Sequence, residues 1–150
     1  MTRINSAIHV KCLTDEHLLA EHREIKRLPY NLQQAIKSGN IKHIPEKFTL
    51  GKGHIMFFLN KMEFIYNRYV NVYCEAKGRG FEVQSFADNF NKQDINLQNY
   101  WNPYRPTNEE KQLLIERITE RINNSTKKHF HYYGKQITKK EAIELLNNVM

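Results

Sequence analysis

Gly53-His54-Ile55-Met56-Phe57-Phe58-Leu59-Asn60-Lys61-Met62-Glu63-Phe64-Ile65-Tyr66-Asn67-Arg68-Tyr69-Val70-Asn71-Val72-Tyr73-Cys74-Glu75-Ala76-Lys77-Gly78 is the stretch that decides the fold. Ile55, Phe58, Leu59, Met62, Ile65, Tyr66, Tyr69, Val72, Tyr73 and Ala76 recur at helical spacing. The pattern predicts one long central helix, stopped by Gly78 and Gly80. Rings at this spacing are a packing stripe before they are a platform for stacked bases. Lys61, Arg68 and Lys77 fall off the stripe, where they are expected to meet solvent or phosphate.

On the N-terminal side a shorter helix is expected to start at Thr14 and to end at Pro29, with Glu16 and His17 in its first turn. At roughly 100° per residue, His17, Glu21 and Glu24 lie within about 60° of one another. One stripe thus carries an imidazole and two carboxylates. Leu18, His22 and Ile25 lie beside it, towards the core, and Arg23 with Arg27 forms an i, i+4 pair on the other side. Such a stripe is either proton-transfer machinery beside a phosphate grip or a solvated face with local ion pairs. Residues 30–50 read as a connector with a short helical segment over Leu32–Lys37 and with Gly39, Pro45 and Gly51 as punctuation.

On the C-terminal side, residues 81–106 read as a long ordered loop pinned by Phe81, Val83, Phe86, Phe90, Tyr100, Trp101 and Tyr104, with an isolated strand at 81–86 as the alternative. Thr107-Asn108-Glu109-Glu110 is a capping-box start for a helix that buries Leu114, Ile115, Ile118 and Ile122 and carries Arg117 and Arg121 as a second basic pair. Lys127-Lys128-His129-Phe130-His131-Tyr132-Tyr133-Gly134-Lys135 then interleaves cations with rings and contains no acid. That suits nucleic acid, with phosphates on the cations and bases on the rings, and it equally suits a packed aromatic turn. Thr138-x-x-Glu141 opens a last short helix with Ile143, Leu146 and Val149 on its buried side.

Composition narrows the classes. At 150 residues the chain is one domain in size, and a net charge of +7 points to a polyanionic partner. Cys12 and Cys74 are far apart and in no metal-ligand pattern, and His17 with His22 is not an HExxH pair, so neither a disulfide framework nor a metal site is expected. With no apolar run of spanning length and no signal-peptide core, the expectation is a protein without a membrane partner, in the cytoplasm.

Thr2 is small enough at the second position to allow removal of Met1, which leaves a free α-amine. Such an amine titrates near about 7.7–8.0 against about 10.4 for lysine, so near neutral pH its unprotonated fraction is roughly a few hundred times larger. It is a ready nucleophile for a sugar carbon or an aldehyde. An N-terminus is also, by default, frayed and inert.

Five ordered segments carry a resemblance: Thr2-Arg3-Ile4-Asn5, His17-Leu18-x-Ala20-Glu21-x-Arg23-Glu24, Phe48-x-Leu50-Gly51-x-Gly53-His54-x-x-Phe57-Phe58, Arg79-Gly80-Phe81 and Tyr132-Tyr133-Gly134-Lys135. Together they resemble the bacteriophage pyrimidine-dimer DNA glycosylase/AP lyase family. The resemblance implies that the Thr2 amine attacks the anomeric carbon of a damaged nucleotide and forms a Schiff base, with Glu24 as the essential carboxylate. It implies strand cleavage by β-elimination without metal or cofactor, and contacts to DNA from Arg3, His17, Arg23, Arg27, Arg117, Arg121, Tyr132 and Lys135. It further implies extrusion of a nucleotide from a kinked duplex, which costs least at a poorly stacked damaged pair.

The chain departs from the family in a one-residue insertion between Asn5 and His17, in Ile25-Lys26-Arg27 where the family has proline before the arginine, and in His129 where it has tryptophan. The last bears on lesion recognition. The expectation is therefore an all-α single domain over 1–150, with three main helices, long loops and an extra C-terminal helix, 136–150 being an extension beyond the matched segments. Its partner is double-stranded DNA with damaged bases or abasic sites, met as a monomer, in a host cytoplasm if phage-encoded. The same chemistry on another damaged base, or a catalytically silent DNA-binding protein, are the competing readings.

Overall fold

The computed structural model describes residues 4–91 and 94–148. Thr14 caps helix α1 (Asp15–Ile25), its hydroxyl accepting the His17 N–H at 3.2 Å. The helix stops at Ile25, and Pro29 does not end it. Pro29 instead lies in the first turn of α2 (Leu28–Ser38), where a missing N–H costs nothing, and Gly39 closes that helix at φ 81°. The connector assigned to 30–50 is thus half helix, and Arg27, the residue before α2, does not share a helix with Arg23.

The long central helix is two helices, α3 (His54–Phe58) and α4 (Met62–Gly78). Lys61 leaves helical geometry at φ −129°, ψ 45°, and its ammonium turns back to the Phe57 carbonyl at 2.7 Å. The break frees the first amides of α4 for outside acceptors: Met62 N–H donates to Tyr100 O at 3.0 Å and Phe64 N–H to Asn102 O at 3.4 Å. Residues 81–86 form no strand. The following segment carries a 3-10 turn at Ala87–Phe90 and the short helix α5 (Ile95–Asn99). Trp101 is an anchor in it, packed against Tyr66 at 5.7 Å.

Helix α6 (Asn108–Asn124) is capped by Thr107, but the Glu110 carboxylate accepts from the Tyr104 hydroxyl, so the capping box is half formed. Strands β1 (His129–Tyr132) and β2 (Lys135–Thr138) pair antiparallel around Tyr133-Gly134, and α7 (Lys139–Leu146) follows with a complete Thr138/Glu141 capping box. Ala142 and Leu146 are buried on α7; Val149 lies outside the described residues. Tyr133 and Gly134 both have positive φ, 53° and 78°, the two-residue turn whose twist matches paired strands.

The fold is helical apart from this hairpin, with α1 crossing α4 at its centre. Both helices serve two apolar clusters. Ile25 of α1 and Ile65 and Tyr69 of α4 pack with Ile4, Leu32, Phe57 and Phe58. Leu18 of α1 and Val72 and Ala76 of α4 pack with Leu114, Ile118, Phe130 and Leu146. Each fully buried Leu, Ile or Phe contributes about 1.5–3 kcal/mol. Arg68 is not at the solvent face: it is 7% exposed, between the clusters.

Candidate active site

The N-terminal segment is held at three backbone or side-chain points. Ile4 N–H donates to His54 Nε2 at 3.2 Å, and His54 Nδ1 lies 3.0 Å from the Thr49 carbonyl. Nε2 also lies 3.1 Å from the Ile4 carbonyl, so the ring is fixed to the Ile4 backbone at two atoms; the tautomer protonated at Nδ1 donates to Thr49 and accepts from the Ile4 N–H. Burial holds the His54 pKa below its ordinary value, which keeps the ring neutral and able to accept. The turn that delivers His54 needs its glycines, since Gly51 and Gly53 have φ of 74° and 94°. Next, the Asn5 amide donates to Glu21 at 2.9 Å. Finally, Arg68 grips Glu21 through Nε at 2.7 Å and Nη2 at 2.9 Å, and its Nη1 donates to Ile8 O at 2.6 Å. Glu21 therefore serves as a structural acceptor with both oxygens engaged inside the fold.

Glu24 has a different setting. With Arg27, Asn31, Gly51, Gly53, Ile55 and Met56 it lines an open cleft of about 350 Å³. Its carboxylate is 27% exposed and 3.5 Å from Arg27 Nη1, whose side chain is 60% exposed. The glycines that deliver His54 thus wall the cleft that Glu24 enters, and the backbone of Ile4 hangs from that same turn. Thr2 and Arg3 lie outside the described residues.

A family model described as pyrimidine dimer DNA glycosylase matches residues 1–89, more than half of the chain. The chain belongs to that family. The match takes in the Ile4 anchor, the Glu24 cleft and the Gly51-x-Gly53-His54 turn, and it makes this protein a DNA glycosylase acting on DNA.

Beyond residue 89, the glycosylase carries the hairpin that sequence reading left as either a packed turn or a nucleic-acid tract. Its turn is bolted to α1: Tyr133 N–H and Gly134 N–H donate to the two Asp15 oxygens at 3.1 and 2.8 Å. Arg79 lies beneath, bonded to Asp15, Glu75 and the Leu13 and Val10 carbonyls, with its guanidinium 4.8 and 4.7 Å from the Tyr132 and Tyr133 ring centres. Tyr132 Oη donates to Lys11 O at 2.8 Å. Asp15, Arg79, Arg68 and His54 are the residues whose jobs periodicity could not reveal, because each has a partner distant in sequence: Gly134, Asp15, Glu21 and Ile4. Only the Gly-x-Gly-His and Arg-Gly-Phe segments flagged two of them.

The remaining basic positions occupy distinct settings. Arg23 and Arg121 are exposed, Arg117 is half-buried on α6, and Lys135 is exposed on β2. His17 is turned inward, bonded to Thr14 Oγ1 at 2.7 Å and stacked on Phe130 at 5.7 Å. Burial pushes its pKa down to about 4, so it brings no charge at neutral pH. Among the described residues, no cluster of His, Cys, Asp and Glu could hold a metal ion, and no helix is long and apolar enough to cross a membrane.

The His17 shift has a sign. A histidine whose folded pKa lies below its unfolded value binds its proton first in the unfolded chain, so stability present above about 6.5 is lost as pH falls towards about 4. Burial of His22 and His54 pushes their pKa values in the same direction. Urea melts at pH 7 and pH 5 should show a smaller acid loss in His17→Gln than in the parent; an identical loss would remove His17 from the acid response.

Proposed function

We propose that the chain excises pyrimidine dimers through an imine on the Thr2 amine and then cleaves the strand as an AP lyase, acting as a monomer without a cofactor. The amine attacks C1′ of the damaged nucleotide, and the glycosyl bond electrons leave with the base. Opening of the sugar ring gives a protonated Schiff base. Loss of a C2′ proton then expels the 3′-phosphate oxygen, and water releases the sugar remnant from Thr2. Glu24 is assigned the cationic sugar and the proton transfers, because a carboxylate beside a forming cation stabilises it and can hold a proton.

The observation that carries the reading is the Ile4–His54 hydrogen bond, two residues after Thr2, made to the residue next to Gly53 of the Glu24 cleft. The family match to a pyrimidine dimer DNA glycosylase supports the substrate. Dimer-containing duplex and abasic duplex, incubated separately with the protein, test it. Glycosyl-bond cleavage in the first, the base staying joined to its dimer partner, and strand scission of both is the expected result; binding of both without either product would overturn the reading in favour of a silent DNA-binding protein.

Arg3, Arg23, Arg27, Arg117, Arg121 and Lys135 are assigned to the DNA backbone, with Tyr132 and His17 framing the approach. Six cationic contacts of this kind give a slope of log K against log salt of about −5 on undamaged duplex. A flat dependence in a salt titration would contradict a phosphate footprint.

A further inference from the structure

We propose that Asn31 is a further catalytic residue of the Glu24 cleft, its side-chain amide donating to the deoxyribose ring oxygen, O4′, as the sugar opens. The proposal rests on the imine reading above.

Asn31 lines the cleft together with Glu24, Arg27, Gly51, Gly53, Ile55 and Met56. Glu24 and Arg27 are charged and paired with each other, the glycines have no side chain, and Ile55 and Met56 have no proton to donate. Asn31 is therefore the one uncharged side-chain donor among the described residues of this wall. Its place is fixed. Leu28, Pro29 and Leu32 are buried and seat α2 on the core, and the Asn31 N–H donates to Arg27 O at 2.9 Å. Its side chain is nonetheless unused by the fold. Asn5, Asn89, Asn102 and Asn147 each donate their side-chain amide to a partner within the protein. Among the described residues, the Asn31 amide has no such partner. Helix propensity does not select it either, since asparagine is a weak helix former.

The substrate brings two kinds of polar atom to the cleft. Phosphate oxygens carry charge and match Arg27. The ring oxygen is neutral until the sugar opens. In that step the lone pair of the Thr2 nitrogen forms the C=N bond and the C1′–O4′ bond breaks. Its electron pair passes to O4′, which takes from Glu24 the proton that the attacking amine had given up. An N–H aimed at O4′ stabilises the charge that develops there, and the amide oxygen can accept from the hydroxyl that results. Glycosyl-bond cleavage makes the opposite demand. There O4′ lends electron density to a cationic C1′, and a hydrogen bond to O4′ opposes this. The contact therefore assists the second step and not the first.

Single-turnover assays of the full chain on dimer-containing duplex test this. In Asn31→Ala, glycosyl-bond cleavage, read as strand breaks after alkali, should stay within about threefold of the parent. Borohydride trapping of the imine on the same duplex should slow by about 10–100-fold, the effect of one hydrogen bond to a group that gains charge. Asn31→Gln keeps the donor and should recover part of that rate. Loss of both steps together would mean that the side chain only shapes the cleft, and loss of neither that it does not meet O4′; each overturns the proposal. A parent that forms no adduct overturns the imine reading and this contact with it, whereas a parent that does, with no split in Asn31→Ala, overturns the contact alone.

Discussion

Glu24→Gln is expected to slow glycosyl-bond cleavage in dimer-containing duplex by about 10²–10⁴-fold, the usual contribution of a positioned carboxylate that transfers protons or faces a developing cation. The amide is the same size and keeps one acceptor oxygen. It has lost the negative charge and the ability to take a proton. Glu24 is half-buried, and its ion pair with Arg27 is 3.5 Å long, with the Arg27 side chain mostly in solvent. Such a pair is worth about 0–1 kcal/mol, so the variant should fold normally. Duplex affinity should stay within about threefold, since removing a negative charge beside the DNA does not weaken phosphate binding. Single-turnover glycosyl-bond cleavage, read as strand breaks after alkali, and a binding isotherm on the same duplex check both halves. Unchanged turnover would take Glu24 out of the mechanism.

Arg68→Ala is expected to cost about 3–5 kcal/mol of folding stability, because it strands a buried carboxylate. The Glu21 side chain is fully buried, and Arg68 supplies two of its hydrogen bonds as well as the one to Ile8 O. Asn5 would be the only remaining donor to Glu21 among those described. Replacing both charges, as in Glu21→Leu with Arg68→Met, should recover much of the loss, since an apolar pair of similar volume avoids the desolvation penalty. Urea denaturation at pH 7 measures this. A loss below about 1 kcal/mol for the single variant would show that the ion pair does not tie the N-terminal segment to α4.

Glu21 and Glu24 show how far the sequence could be read. The helical wheel put both on one stripe, and local geometry supported that. What separates them is the partner each meets: Arg68, 47 residues away, for Glu21, and the Gly51–Gly53 turn for Glu24. Caps were legible because they are local, as at Thr14, Thr107 and Thr138. The break between α3 and α4 was not, because Phe58, Leu59 and Met62 continue the apolar rhythm across it while the carbonyls that stabilise it belong to Tyr100 and Asn102. The hairpin was missed for a related reason. Only Phe130 is buried in β1, so the tract lacks a clear alternation, and its seat is Asp15 and Arg79. Arg68 and Lys61, read as solvent-facing or phosphate-binding, are both tied into the protein by contacts at a distance or across a kink.

The reacting amine in the proposed mechanism is the α-amine of Thr2. The main internal competitor is Lys61, whose pKa burial pushes below the usual lysine range and whose ammonium sits 3.8 Å from the Phe57 ring centre. Borohydride reduction of the reaction with abasic duplex, followed by proteolysis and mass mapping of the adduct, distinguishes the two. A covalent sugar remnant is expected on the peptide that begins at Thr2, absent when the N-terminus is blocked beforehand. An adduct on Lys61 or any other lysine, or an undiminished adduct on the blocked protein, would contradict it.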